Sequence, residues 1–400
     1  MNLAEPIVRW QEEFTRIRRD IHQHPELAYE EVRTADLVAA QLESWGIPVV
    51  RNIGVTGVVG TIKGRNDNGR AVGLRADMDA LPMQELNSFD HASTNAGKMH
   101  ACGHDGHTTM LLAAARHLAE SRDFDGTVHV IFQPAEEGHC GAKAMIDDGL
   151  FERFPMEAVF GMHNWPGMPE GQFGLTAGPI MASSNTFSVR IKGKGAHGAM
   201  PHLGADPVIA AVQMVQALQT IVTRNRDPLD PAVLSVTQVH AGSADNVIPT
   251  DAEIRGTVRT FTERTLDLIE ARMRAICEQT AATLDCTATF EFQRKYPPTV
   301  NSEAETEFCA QVIESTFGAE RLVRNVTPSM GAEDFAFMLQ EKPGCYVWIG
   351  NGQGDHRLPG HGDGPCMLHN GTYDFNDALI PLGGTYWVEL ARKWLGTPKG

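Results

Sequence analysis

Residues 127–138 read T-V-H-V-I-F-Q-P-A-E-E-G. The first seven are rich in Val, Ile and Phe and predict a buried strand, which a Pro-Ala step ends just before two carboxylates, Glu136 and Glu137. The same arrangement recurs on either side. The apolar run Ala71–Ala76 leads into Asp77-Met-Asp79, and Ala158–Met162 leads into His163. Between the first two strands lies His107–Ser121, rich in Ala, Leu and Met, which reads as a helix with Asp105 as its N-cap. Strands alternating with helices imply an α/β fold: a mixed, largely parallel sheet with helices on both faces. In such a sheet ligands bind at the carboxyl ends of the strands. The ionisable residues therefore emerge on one rim, where separate segments converge.

Working outward, apolar positions Ile7, Trp10, Phe14, Ile17 and Ile21 recur at helical spacing, and an amphipathic stretch Arg33–Trp45 stops at Gly46. The character changes near Gly178. Phe187–Lys192 alternates with period two, Pro207–Arg224 reads as a helix, and Ala232–His240 and Asp251–Arg259 read as strands. A helix at Glu263–Leu284 and a strand at Thr287–Arg294 complete a ferredoxin-like β-α-β-β-α-β order, a small sheet with two helices on one face. After Lys295-Tyr-Pro-Pro298 the first pattern returns, with a helix at Glu303–Phe317, a strand at Cys345–Ile349, a Gly-rich loop and a last helix at Ile380–Leu395. The reading is a discontinuous first domain of residues 1–181 and 296–400, with an α+β domain, 182–295, inserted in it.

Composition narrows the classes of function. With 42% hydrophobic and 21% charged residues the chain is globular, and its 400 residues call for two domains. A net charge of -16 argues against nucleic acid or an anionic membrane as partner. No apolar run approaches the roughly 18–20 residues that span a bilayer, and Met1–Asp20 lacks the apolar core of a signal peptide. Seven cysteines, an odd number with no regular spacing, suit reduced thiols in a cytoplasmic protein.

The densest chemical cluster is M-H-A-C-G-H-D-G-H, residues 99–107. It offers His100, Cys102, His104 and His107 as donors, and Cys and His within a few residues form a metal-ligand signature. The plain alternative is that histidines at a helix start only cap or hydrogen-bond. Glu136 and Glu137 follow a strand, and successive side chains diverge. One can bind metal while the other acts as a base on water, which is what a two-metal hydrolase needs. His163 stands at a strand end. His369 lies beyond the Gly-rich loop, and spacing alone leaves it equally a ligand or a loop histidine. Cys102 could instead be a thiol nucleophile with His104 as base, an enzyme of another class, but neighbouring residues compete poorly for one geometry and the carboxylates would have no role. A non-catalytic metal-binding protein leaves Glu136 unexplained. Gly193-Lys-Gly195-Ala-His-Gly198 matches a dinucleotide fingerprint literally, yet no helix follows it.

The motifs taken together resemble the M20 metallopeptidase family: M-H-A-C-G-H-D-G-H (99–107), Q-P-A-E-E-G (133–138), G-M-H-N (161–164), G-K-G-A-H-G-A-M-P-H (193–202), N-V-I-P (246–249) and G-A-E-D-F (331–335). The branch most resembled is the amidohydrolases that include hippurate hydrolase, indole-acetyl-amino-acid hydrolases and N-acetyl-diaminopimelate deacetylase. The resemblance spans the chain in order. It implies hydrolysis of N-acyl amino acids with two divalent ions per subunit, Zn, Mn, Ni or Co. The M20 dipeptidase or carboxypeptidase activity is an alternative. It implies that Cys102 bridges the ions, that His104 and His163 complete one site, and that Glu137 and His369 complete the other. Glu136 would be the general base. The inserted domain would be a lid and dimerisation domain, making a homodimer or higher homo-oligomer, with His197 stabilising the oxyanion and Asn246 and Arg259 binding the substrate carboxylate. Many family members carry His-x-Asp where this chain has Arg75-Ala-Asp77. A guanidinium does not ligate metal, so His104 takes that place and Asp77 orients ligands from behind. Loop capping is the plain reading of Asp77 and Asp79.

Overall fold

The computed structural model describes residues 2–396. They form two compact units, one comprising the residues up to Ile180, Val300–Thr327 and those from Asp334 onward, the other Met181–Thr299 and Pro328–Glu333.

The first unit is built on an eight-stranded sheet. Its strands are β1 (Val49–Ile53), β2 (Gly57–Lys63), β3 (Ala71–Asp77), β4 (Thr127–Gln133), β5 (Ala158–Pro166), β6 (Phe173–Leu175), β7 (Leu322–Arg324) and β8 (Gly344–Gly352). They lie in the order β1-β2-β4-β3-β5-β8-β6-β7. The four central strands, β4, β3, β5 and β8, are mutually parallel, and their outer neighbours β2 and β6 run antiparallel to them. This is the mixed, largely parallel sheet that the alternating pattern implies.

Strand period decides what each face carries. Val72, Leu74 and Ala76 of β3 join one apolar core with Met110, Leu111 and Ala114 of the helix His104–Ser121. That helix is buried on every side, only Arg116, Glu120 and Ser121 reaching solvent. A helix so enclosed has no polar face to keep, which is why its middle, residues 110–115, is Met, Leu and Ala without interruption. The last helix, Leu379–Leu395, crosses it closely at Gly384, where an added Cβ would lie 3.4 Å from that of Ala113. The alternate β3 residues, Arg75 and Asp77, point to the opposite face, where Phe335 of the helix Phe335–Glu341 lies under the Arg75 guanidinium.

One sequence expectation fails here. Asp105 is not an N-cap. The helix starts at His104, its cap position is Gly103, and no side chain caps it. Asp105 instead accepts from His22 Nδ1 at 2.9 Å and Arg18 Nη1 at 3.4 Å. Arg18 is wholly buried and also reaches Asp374 (3.0 Å) and Asp377 (2.7 Å). Burial opposes a charge on His22, but Asp105 and Glu85 raise it to about 10, so it is an imidazolium at neutral pH. This buried network ties the N-terminal helix Gln11–Gln23 to the metal-ligand motif and to the C-terminal segment.

The second unit carries four antiparallel strands, Ser184–Lys192, Ala232–Ala241, Asp251–Thr260 and Thr287–Tyr296, with the helices Pro207–Thr220 and Glu263–Ala282. In chain order the strands lie 2-3-1-4, the ferredoxin-like arrangement. Residues 328–333 pack with this unit, since Ala182 N donates to Ser329 O at 3.1 Å and to Gly331 O at 2.9 Å. Nothing in the local pattern of 328–333 announces that pairing. No helix of the described residues is long and apolar enough to cross a membrane.

Candidate metal centre

The carboxyl ends of β3, β4 and β5 deliver the donors. After β4 the chain turns through Pro134 and through Ala135, which has φ +54°. Ala135 N donates to Glu31 (2.8 Å), and the Asp79 carboxylate accepts from the amides of both Glu136 (3.0 Å) and Glu137 (2.9 Å). One carboxylate thus aims two others.

Cys102 and His104 flank Gly103, which has φ +92°. A Cβ there would lie 2.2 Å from Asn164 Nδ2 and 2.5 Å from Tyr373 Oη, so no other residue fits the turn. Cys102 Sγ lies 3.3 Å from His163 Nε2. His163 Nδ1–H donates to the carbonyl of Asn164 at 2.6 Å, which leaves Nε2 as the lone-pair nitrogen facing the thiol. His104 is set the same way, its Nδ1–H donating to Asp79 O at 2.8 Å. His369 has φ +56° and is held there by its own N–H, which donates to Ala101 O at 2.8 Å. Its Nε2 lies 3.3 Å from Glu137 Oε1. Strained backbone of this kind collects at functional sites.

The donor atoms form two overlapping triads within ligand distance, Cys102–His104–His163 and Cys102–Glu137–His369, which share only Cys102. Glu136 lies near His104 and Glu137 without belonging to either. Two buried atoms among the donors, His104 Nε2 and Glu137 Oε1, make no hydrogen bond of good geometry, with His369 Nε2 approaching Glu137 Oε1 at 3.3 Å. Buried polar atoms without partners are rare and costly, and two such atoms within reach of the Cys102 thiol fit divalent cations. Protonation tendencies agree with a site made for positive charge. Burial, then the carboxylates of Glu137 and Glu136, pushes the Cys102 thiol well above its usual range. Burial opposes charge on His104 as well, but Asp77 and Asp79 raise it to about 10. Burial and neighbouring His107 keep His163 neutral. Cys, His and Glu donors of this kind suit Zn²⁺ and other first-row divalent ions.

Asp77, His104 and His107 also lie within ligand distance of one another, but His107 has both nitrogens engaged. Its Nδ1–H donates to Asp77 Oδ1 at 2.6 Å, and its Nε2 accepts from Asn164 N at 2.9 Å. It supports the site rather than ligating. His100 is buried and belongs to none of these groups.

The same residues lie within a stretch shared with known proteins. Residues 73–391 match the family described as peptidase family M20/M25/M40. The chain belongs to that family. Hippurate hydrolase of Campylobacter jejuni is 42% identical over 395 residues, covering 99% of this chain and 100% of that protein. N-acetyl-L-cysteine deacetylase of Bacillus subtilis is 42% identical over 380 residues, covering 95% and 87%. Among solved structures, a dinuclear metal-binding peptidase of the M20 family from Bacillus subtilis superposes with a TM-score of 0.82 at 34% identity, covering 98% of this chain and 100% of that one.

Of the residues the sequence singles out, the M20 chain brings Cys102, His104, Glu136, Glu137, His163 and His369 together, with Asp77 just behind them. His197 and Asn246 belong to the second unit and share a groove there with His240. His197 Nδ1 accepts from Ala199 N at 3.1 Å, so in the neutral ring Nε2 carries the proton and is the free donor. Arg259 lies apart from that groove and donates to Ser184 Oγ. Sequence reasoning missed Asn164 and Asp334. Both stand inside motifs it quoted, G-M-H-N and G-A-E-D-F, but neither type advertises a role until its backbone partners are visible.

Proposed function

We propose that the protein is a metal-dependent amidohydrolase that cleaves N-acyl amino acids to a carboxylic acid and a free amino acid, with two divalent ions per subunit. The observation that carries this reading is the pair of triads sharing Cys102, with Glu136 left over as a carboxylate beside them. Ions held by the triads would polarise the acyl carbonyl and make water acidic enough to act as a nucleophile at neutral pH. Glu136 accepts the proton of that water as its oxygen adds to the acyl carbon, and returns it to the nitrogen when the C–N bond breaks. His197, through Nε2–H, donates to the developing oxyanion. Asn246 and Arg259 bind the substrate carboxylate, and Asp77 orients ligands. Zn²⁺ suits the mixed donor set, with Mn²⁺, Ni²⁺ or Co²⁺ as alternatives that elemental analysis of protein purified without added metal separates. A cytoplasmic setting would keep the Cys102 thiol reduced.

An aromatic acyl group is the preferred substrate feature. Trp165 lies two residues beyond His163 on β5, its ring centroid 6.2 Å from the imidazole, and stacks at 3.8 Å on Trp348 of β8. The partly exposed Trp165, braced by the buried Trp348, offers a flat apolar surface near His163, suited to a benzoyl ring. Kinetics on N-benzoylglycine, N-acetylglycine and N-acetyl-diaminopimelate test the reading. Trp165→Ala is expected to raise KM for N-benzoylglycine about tenfold, the value of one aromatic contact, and to leave N-acetylglycine nearly unchanged. Cleavage of N-acetyl-diaminopimelate alone would replace this assignment with a deacetylase.

The inserted unit is proposed as a lid and dimerisation domain. Its edge strand Ala232–Ala241 exposes Val239 and unpaired backbone, an edge that another chain can cover. If the partner supplies His197, mixing inactive Glu136→Gln and His197→Ala proteins is expected to restore about a quarter of wild-type activity, by random pairing of subunits. Activity in a monomer at equilibrium sedimentation contradicts that arrangement.

A further inference from the structure

We infer that Arg75 is a positioning residue that braces the metal-holding side of the site and its base against one another. Its guanidinium is wholly buried and presents three donors to three acceptors: Nε to Gln133 Oε1 at 2.8 Å, Nη1 to Asp77 Oδ2 at 2.8 Å, and Nη2 to Asp334 Oδ1 at 3.2 Å. Two arms leave it.

The first arm runs through Asp77. That carboxylate holds His107, and His107 accepts from both the backbone N (2.9 Å) and the side-chain Nδ2 (3.0 Å) of Asn164. Asn164 in turn donates to the carbonyl of Cys102 at 2.6 Å, accepts from Tyr373 Oη at 2.7 Å, and accepts the Nδ1–H of His163 on its own carbonyl. Cys102 and His163 are thus set by one hub whose orientation ends at Arg75.

The second arm runs through Asp334. Its Oδ1 also accepts from Gln133 Nε2 at 2.8 Å and its Oδ2 from Ala142 N at 2.9 Å, so both oxygens are taken and the residue cannot rotate without loss. Its backbone N–H donates to Glu136 Oε1 at 3.3 Å. A planar, permanently charged fork serves both carboxylates at fixed angles, which the single ammonium of Lys cannot do. The strand period that turns Arg75 and Asp77 to the same face, two residues apart, is what makes the clamp possible.

The inference rests on Glu136 as base and on Cys102 and His163 as ligands. Its test uses the full chain, with Zn²⁺ affinity measured by chelator competition, which needs no turnover, and with kcat and KM on N-benzoylglycine. Arg75→Lys is expected to stay folded, to lose about 10–100-fold in kcat with KM within about threefold, and to bind Zn²⁺ about tenfold more weakly. Arg75→Met is expected to be worse on both readouts, Lys recovering part of each. Gln133→Leu removes one acceptor of the guanidinium and one donor to Asp334 but leaves the Arg75–Asp77 bond in place, so it is expected to lower kcat more than Zn²⁺ affinity. It also decides the matter if Arg75→Met does not fold. Folded Arg75→Lys with wild-type kcat and Zn²⁺ affinity overturns the inference, as does a Gln133→Leu effect that is absent or equal on both readouts. If the wild-type chain hydrolyses no N-acyl amino acid, the proposed function fails, while the Zn²⁺ measurement still judges the first arm.

Discussion

Glu136→Gln is expected to lower kcat by about 10²–10⁴-fold, the usual worth of a positioned general base, while the divalent metal content stays at the wild-type level. The amide keeps an oxygen to accept the Asp334 N–H, and the Asp79 bonds to the loop are to backbone amides, so the turn survives the change. What is lost is a group able to take a proton. Metal content measured beside kcat makes the result decisive. Glu136 lies within ligand distance of His104 and Glu137, so loss of an ion from the variant would make it a ligand. A variant with normal kcat would remove it from the mechanism.

Cys102→Ala is expected to weaken both metal positions at once. Its sulfur is the only donor atom common to the two triads. If roughly 10–16 kcal/mol of binding is divided among about four ligands, each ion loses about 3 kcal/mol, or about a hundredfold in affinity. Turnover at stoichiometric metal should fall with metal occupancy and rise again as excess metal is added. The same variant separates the metal reading from a thiol-nucleophile reading. A nucleophile mutant loses turnover but keeps its metal, so full metal content in an inactive Cys102→Ala protein would sink the bridging role.

Much of this site was legible because strand ends expose chemistry. Asp77, Glu136 and His163 each follow an apolar run, and parallel strands bring such ends to one rim whatever their separation in sequence. Cys102 and His104 announced themselves by density. His369 did not, because its place depends on a hydrogen bond to Ala101 that no spacing encodes. Asp105 misled for a related reason. A carboxylate in the first turn of a helix resembles a cap, and the partners that claim it, Arg18 and His22, come from a helix more than 80 residues earlier. Asn164 and Asp334 each bond side chains and backbone that lie far away in the sequence, so their side-chain types carried no signal. Fold class read more easily than the segment 328–333, because the alternation of strands and helices is local and the pairing of that segment is not.

The strand order of the large sheet has a consequence for how the chain is made. β8, Gly344–Gly352, leaves the ribosome long after β5 and β6, yet it lies between them. The sheet therefore waits, with the β5 edge bare, until β8 has been synthesised. The inserted unit draws its four strands from one continuous run, so it can fold while the remainder is still being translated. Newly made chains are expected to depend on a holdase or a slow translation rate until β8 emerges, and truncations just short of β8 to aggregate through that open edge.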